Sequence, residues 1–251
     1  MQYLKKLAKI IIIAAVWLAV WTGIYLLVGN PLIFPSFWSV FLRIIELAGT
    51  GQFWANVGGS LLRIVIGFAI AVAAGVLIGA LTAAFRVLDS FLSPAAKVIK
   101  ATPVASFIIL LFVFAAKNNI PAVTAFLMVL PVVWANVYEG IKTTDIKLLE
   151  MARVFELKKG TVISRIYIPH IRPFFTAAVR TGMGMAWKAG IAAEVIVNPK
   201  YGIGSALHDS KVYLETTDLF AWTAVVIIIS ILLERLLIRL ISRRENGSKA
   251  S

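Results

Sequence analysis

Apolar residues fall in long runs separated by short polar or basic stretches, and each run approaches the roughly 20 residues that a helix needs to cross a hydrocarbon layer about 30 Å thick. The runs cover residues 10–28, 57–85, 98–116, 120–138, 174–197 and 219–241. They predict an all-α, polytopic membrane helix bundle of about six transmembrane helices, with residues 1–251 forming a single transmembrane domain and 242–251 a polar cytoplasmic tail. The third run is the least regular, because Pro103 sits inside it and the turn at 97–100 can belong to a loop. Residues 32–56 are too polar and broken to cross. There Phe37, Trp38, Phe41, Ile44, Ile45 and Leu47 follow Pro35 and Ser36 near helical spacing, which predicts an external amphipathic helix lying at the outer interface and capping the bundle. In the second run Gly67, Ala71, Gly75, Gly79 and Ala83 recur at every fourth position, a ridge of small residues that lets another helix approach closely.

Composition agrees with lipid as the main solvent: 60% of the 251 residues are hydrophobic, 15% are charged, and the mean hydropathy is +0.90. A net charge of +13 raises nucleic acid as a partner. The Lys and Arg residues, however, cluster between the apolar runs, and no base-reading module is present, so nucleic-acid binding is set aside. The basic residues instead set the topology. With a cytoplasmic N-terminus, the inner segments hold Lys5, Lys6, Lys9, Arg86, Lys97, Lys100 and most of the remaining cations, while the outer ones keep Arg43, Lys117, Lys200 and Lys211. Both termini are therefore expected in the cytoplasm. The absence of cysteine excludes disulfides, thiolate metal sites and cysteine nucleophiles. Residues 10–28 follow a basic start in the manner of a signal peptide, but the run is long enough to span and no A-x-A site follows it. It is expected to remain as the first span.

The most informative segment is the basic loop 141–172. Loops of this length are usually functional or disordered, and this one has helical patterning. Thr144 is positioned to cap a short helix with Asp145 in its first turn, Ile146, Leu149 and 151–154 supply apolar positions, and Lys158, Lys159 and Gly160 suit its end. Thr161 is positioned to cap a second helix, stopped by Pro169 and Pro173. Two short cytoplasmic helices, held between the fourth and fifth runs, would form a knob that a partner can grip.

Glu150, Met151 and Ala152, with Ile166, Tyr167, Ile168 and Pro169 further on, resemble the loop motif of binding-protein-dependent ABC importer permeases: E-A-A, three residues, G, nine residues, I-x-L-P. Glu150, Ala152, Ile166 and Pro169 match in register. Met151 replaces the second Ala, and Glu156 stands where Gly normally permits φ > 0, leaving Gly160 as the candidate to take over the turn. The resemblance extends to Ser60-Leu61-Leu62-Arg63, Leu92-Ser93-Pro94, Ala101-Thr102-Pro103, the stretch Trp187-Lys188-Ala189-Gly190-Ile191-Ala192-Ala193-Glu194, and Tyr201-Gly202-Ile203-Gly204, all similar to the sulfonate, nitrate and taurine branch.

That resemblance implies a type I importer of the bacterial plasma membrane. Two permease copies, expected as a homodimer, form the pathway. An ABC ATP-binding subunit carries ATP and Mg, and an extracytoplasmic solute-binding protein delivers a small polar or anionic solute of the sulfonate, taurine, nitrate or vitamin-precursor class. The chain has no G-x-x-x-x-G-K-[ST] phosphate loop, so it is expected to be a transport subunit, not an enzyme, with no cofactor of its own. The resemblance assigns ATPase coupling to Glu150, Met151, Ala152, Glu156, Gly160, Ile166 and Pro169.

Charges within the apolar runs need water, a partner or an escape route, since each costs about 2.5 to 3.5 kcal/mol at mid-depth. Arg63 and Arg180 can snorkel or pair locally. Lys188 and Glu194 would lie about 9 Å apart along one helix. With Trp187 they are the candidate substrate pathway or gate: Lys188 attracting an anion, Glu194 neutralising it or holding the outer gate, or the two forming only a structural pair. Trp187 reads more readily as packing. His170 and His208 are isolated in predicted loops, and no Ser, His and Asp constellation assembles at one depth. The competing functional classes are an ATP-independent secondary transporter, which calls for inverted repeats, and a membrane-embedded enzyme, which calls for clustered intramembrane Asp, His or Ser.

Overall fold

The computed structural model describes residues 2–247, with side chains described for Lys9 and 11–239. Helices α1 (Gln2–Val28), α2 (Phe37–Ala48), α3 (Gly51–Ala84), α4 (Arg86–Ala101), α5 (Val104–Phe114), α6 (Ile120–Lys142), α7 (Ile146–Val154), α8 (Lys159–Val162), α9 (Ile168–Val197), α10 (Ile203–Val212) and α11 (Thr216–Gly247) account for most of it, and no strand occurs among the described residues. The all-α bundle expected from the apolar pattern is what forms. The helical part of the polar tail continues α11 as far as Gly247, and 248–251 lie outside the described residues.

Among the described residues, four helices are long and apolar enough to cross a membrane alone: Ile11–Val28, Gly51–Ala84, Ile120–Lys142 and Thr216–Arg239. The third predicted run is different. Residues 98–101 belong to α4, and α4 meets α5 at a bend of 108° across Thr102 and Pro103. Proline lacks an N–H and biases the residue before it away from the helical region, so the run breaks there instead of crossing as one rod. The fifth run is the 30-residue α9. It is about 45 Å long, but Arg180, Lys188 and Glu194 make it less apolar than a lipid-facing span. It can be so because Ala178, Val179, Gly182, Met183, Ala186 and Trp187 are buried against the rest of the bundle.

The centre of the core is α3 packed on α6, with α9 across both. The small-residue ridge of α3 is what permits this. All five ridge residues are buried, and a Cβ on Gly75 would come within 2.8 Å of Val133 Cβ, one on Gly79 within 2.8 Å of the Trp134 carbonyl oxygen. At the same contact the Trp134 indole N–H donates to Thr82 Oγ1 at 2.9 Å, satisfying a buried polar pair.

The predicted amphipathic helix is α2, capped by Ser36, whose hydroxyl accepts from the Ser39 N–H. Its Ile44 and Leu47 pack on the core while Phe37, Trp38, Phe41 and Ile45 remain exposed. Arg43 forms a forked pair with Asp218 at the start of α11, Nε–Oδ1 2.6 Å and Nη2–Oδ2 2.9 Å. This pair, with Glu46, raises the Arg43 pKa above its ordinary value. The helix is thus fastened to the bundle as a cap.

Candidate functional site

Two regions carry the residues that the sequence singled out. The first is the segment between α6 and α9. Helix α7 is capped by Asp145, whose side chain accepts from the Lys147 N–H at 2.9 Å. The expected cap, Thr144, is instead buried and donates to the Gly140 carbonyl at 3.2 Å, which ties the loop to the end of α6. Lys158, Lys159 and Gly160 do not close α7, which ends at Val154.

The turn that follows falls at the family's glycine position even though no glycine stands there. Glu156 adopts φ +50°, its N–H reaches the Arg153 carbonyl at 3.0 Å, and the Leu157 N–H reaches the Ala152 carbonyl at 2.9 Å. These are the two bonds of a Schellman closure. Gly160 lies inside α8 and does not take over the turn. Ala152 is buried and its carbonyl anchors this closure, whereas Glu150 and Met151 are exposed.

The expected second short helix is not a separate element. Chain 159–197 runs on as α8, a π-helical turn at Ile163–Tyr167 and α9, with Lys158 in place of Thr161 at its start. Pro169 and Pro173 do not stop it. The wider turn ends on an Ile168 N–H to Ile163 carbonyl bond immediately before Pro169, where a regular helix would press the proline ring on the carbonyl four residues back. Only α7 is therefore a free-standing knob. Its neighbourhood leaves large apolar side chains uncovered: Ile146 is 69% exposed, Val154 81% and Phe155 70%.

The second region lies at the far end of α9. Glu194 is fully buried and pairs not with Lys188 but with Arg63 of α3, at 3.0 Å to Nη2 and 3.3 Å to Nε. Its other oxygen accepts from Ser60 Oγ at 2.6 Å and from the Gly204 N–H at 3.0 Å. Ser60 Oγ accepts from the Ile203 N–H at 2.8 Å, Asn56 Oδ1 accepts from the Gly202 N–H at 3.2 Å, and Arg63 also donates to the Tyr201 carbonyl. One carboxylate thus clasps α3, α9 and the turn 201–204. Both glycines are needed for the approach, since a Cβ on Gly202 would sit 2.7 Å from Glu194 Oε2 and one on Gly204 2.6 Å from the Ile191 carbonyl oxygen.

Trp187 is buried and its indole N–H donates to the Val226 carbonyl of α11 at 3.1 Å, so it is a packing residue. Lys188 is exposed and forms no ion pair or hydrogen bond among the described residues. His170 and His208 lie on α9 and α10 instead of in loops. Asn56 and Ser60 were missed as members of the clasp. The one available signal was two polar side chains at positions 56 and 60, one helical turn apart and one turn before an intramembrane arginine.

A family described as the binding-protein-dependent transport system inner membrane component matches residues 71–246. A probable ABC transporter permease protein of Brucella melitensis is 28% identical over 219 residues, covering 86% of this chain and 88% of that one. The putative aliphatic sulfonates transport permease protein SsuC of Bacillus subtilis is 27% identical, covering 94% of this chain and 86% of its own. Among solved structures, an amino acid ABC transporter chain superposes with a TM-score of 0.59 at 17% identity, over 82% of this chain and 96% of that one, which speaks to the fold alone. With its family pattern matched over more than half its length, the chain belongs to the inner-membrane permease components of binding-protein-dependent ABC transport systems.

Proposed function

We propose that this permease forms the pathway of an ATP-driven importer as a homodimer in the bacterial plasma membrane. Its α7 docks on an ATP-binding subunit that carries ATP and Mg, and an external solute-binding protein supplies a small polar or anionic solute. The observation that carries this reading is α7: a nine-residue helix with its own cap and its own closure, bearing exposed Ile146, Val154 and Phe155 beside Glu150 and Met151. Apolar side chains left uncovered on a loop outside the bilayer mark a protein interface. The likeness to a sulfonate permease supports an anionic solute.

The mechanical link is the continuous run 159–197. Movement of the partner against α7, with Ile166 and Pro169 just inside the run, tilts a rod whose other end holds Glu194 and the turn 201–204. Such a rod supports rigid-body switching between inward-open and outward-open states. In this scheme Glu194 holds the outer turn in place, and Lys188, exposed and unpaired, faces the pathway.

The test is Glu150→Lys in the complex with an ATP-binding subunit, in membranes. Substrate-stimulated ATP hydrolysis is expected to fall by about tenfold or more while the permease still inserts, because reversing an exposed charge changes fold stability by only about 0.5 kcal/mol. Unchanged stimulation would remove α7 from the coupling path.

A further inference from the structure

Helix α4 is amphipathic and meets the bundle along the seam between its two sides, with Leu88, Asp89, Leu92, Ser93, Ala96 and Ile99 half-buried. Val87, Phe91 and Val98 are exposed, and no residue of the helix is buried. The side toward α6 carries Asp89, Ser93, Lys97 and Lys100, which with Trp134 and Tyr138 line a cleft of about 240 Å³. In a membrane, lipid or a second copy covers exposed Val87, Phe91 and Val98, while a cleft lined by charged side chains calls for water. The 108° break at Thr102 and Pro103 directly follows, and a broken helix at membrane depth is tolerated where it lines a water-filled cavity.

Charge in the cleft is unbalanced. Asp89 is already satisfied, accepting from Ser93 Oγ at 2.7 Å and from the Tyr138 hydroxyl at 3.1 Å. The Trp134 N–H is committed to Thr82, so its ring offers only apolar surface. Lys97 and Lys100 form no ion pair or hydrogen bond among the described residues. Along α6 the lining residues Tyr138 to Pro131 lie about 6 to 16 Å from Lys142. Two cations are thus presented to one cleft in the half of the bundle nearer α7.

We propose that this cleft is an oxyanion-binding site in which Lys97 and Lys100 hold a sulfonate- or phosphate-type headgroup, with Asp89, Ser93 and Tyr138 fixing the polar wall. The headgroup belongs either to the solute in the inner half of its path, a case that rests on the importer reading, or to an anionic lipid, a case that does not.

The experiment uses the permease with its ATP-binding subunit in nanodiscs. In discs of phosphatidylcholine alone, sodium methanesulfonate is titrated by calorimetry; in discs that also contain phosphatidylglycerol, retained lipid is read by native mass spectrometry. The wild type is expected to bind one of the two probes, methanesulfonate identifying the solute and phosphatidylglycerol the lipid. Lys97→Gln with Lys100→Gln is expected to weaken that binding about tenfold or more, and Lys97→Arg with Lys100→Arg to retain it. Ala96→Glu, which adds an acid to the same wall, gives a second route to the same loss. Binding of neither probe by the wild type, or equal binding by the Gln pair, overturns the site. Glu150→Lys, run in parallel, loses stimulated hydrolysis if the importer reading holds and keeps probe binding, so the two ideas fail separately.

Discussion

The two ends of the rod 159–197 are built on opposite principles. Next to one end, α7 leaves Ile146, Val154 and Phe155 in the open, apolar surface with nothing among the described residues to cover it. Near the other end, Glu194 is a carboxyl group with no solvent contact at all, held by an arginine, a hydroxyl and a backbone N–H. An exposed apolar helix is an unfinished surface and calls for a partner. A buried carboxylate whose oxygens are all engaged is a finished joint, and desolvation makes it intolerant of any missing partner. In the proposed scheme one end is gripped and the other holds.

This contrast can be broken most severely at the clasp. Arg63→Met leaves the Glu194 carboxyl fully buried without its cation, and is expected to cost about 3 to 5 kcal/mol, read as a large drop in thermal midpoint of the detergent-purified protein. Retained stability would mean that Ser60 and Gly204 alone can hold the charge. A smaller loss is expected from Gly204→Val, about 1 to 3 kcal/mol in the same measurement, since the added side chain meets the backbone of α9 at Ile191 and Val195. An unchanged midpoint would show that the turn 201–204 can move away from Glu194.

At the other end, substitution should gain stability instead of losing it. Glu156 holds φ +50°, a conformation that glycine adopts without strain. Glu156→Gly is expected to stabilise the segment by about 1 kcal/mol, visible as slower proteolysis around α7 with the global midpoint barely moved. Faster cleavage would mean that the Glu156 side chain itself contributes to the fold.

The features legible in the sequence were those written within a few residues of one another. Apolar run length located the four helices able to cross alone, the four-residue ridge on α3 announced a close helix contact, and the spacing from Phe37 to Leu47 located α2. Pro103 marked the irregular run, although nothing local indicated a bend of 108°. The turn after α7 stayed in register with the family motif although Glu156 replaced glycine, because the two backbone bonds from Glu156 and Leu157 close the helix and outweigh the side-chain preference. Thr144 was misjudged as a cap for a similar reason: its neighbour Asp145 took the cap while Thr144 turned back to Gly140. Pro169 and Pro173 suggested a stop, but a π-helical turn absorbs the first, and the rod continues.

By itself the sequence determined that this chain lives in a membrane and which family its motifs resemble, since length, hydropathy and register are properties of neighbouring residues. Only the tertiary structure decided the partner of Glu194. Lys188, six positions away on the same helix, was the obvious candidate, yet Arg63, 131 positions away, is the one it meets. Which face of α9 turns toward α3 depends on how the whole bundle packs, and burial then makes the nearest cation with the right reach the only affordable one.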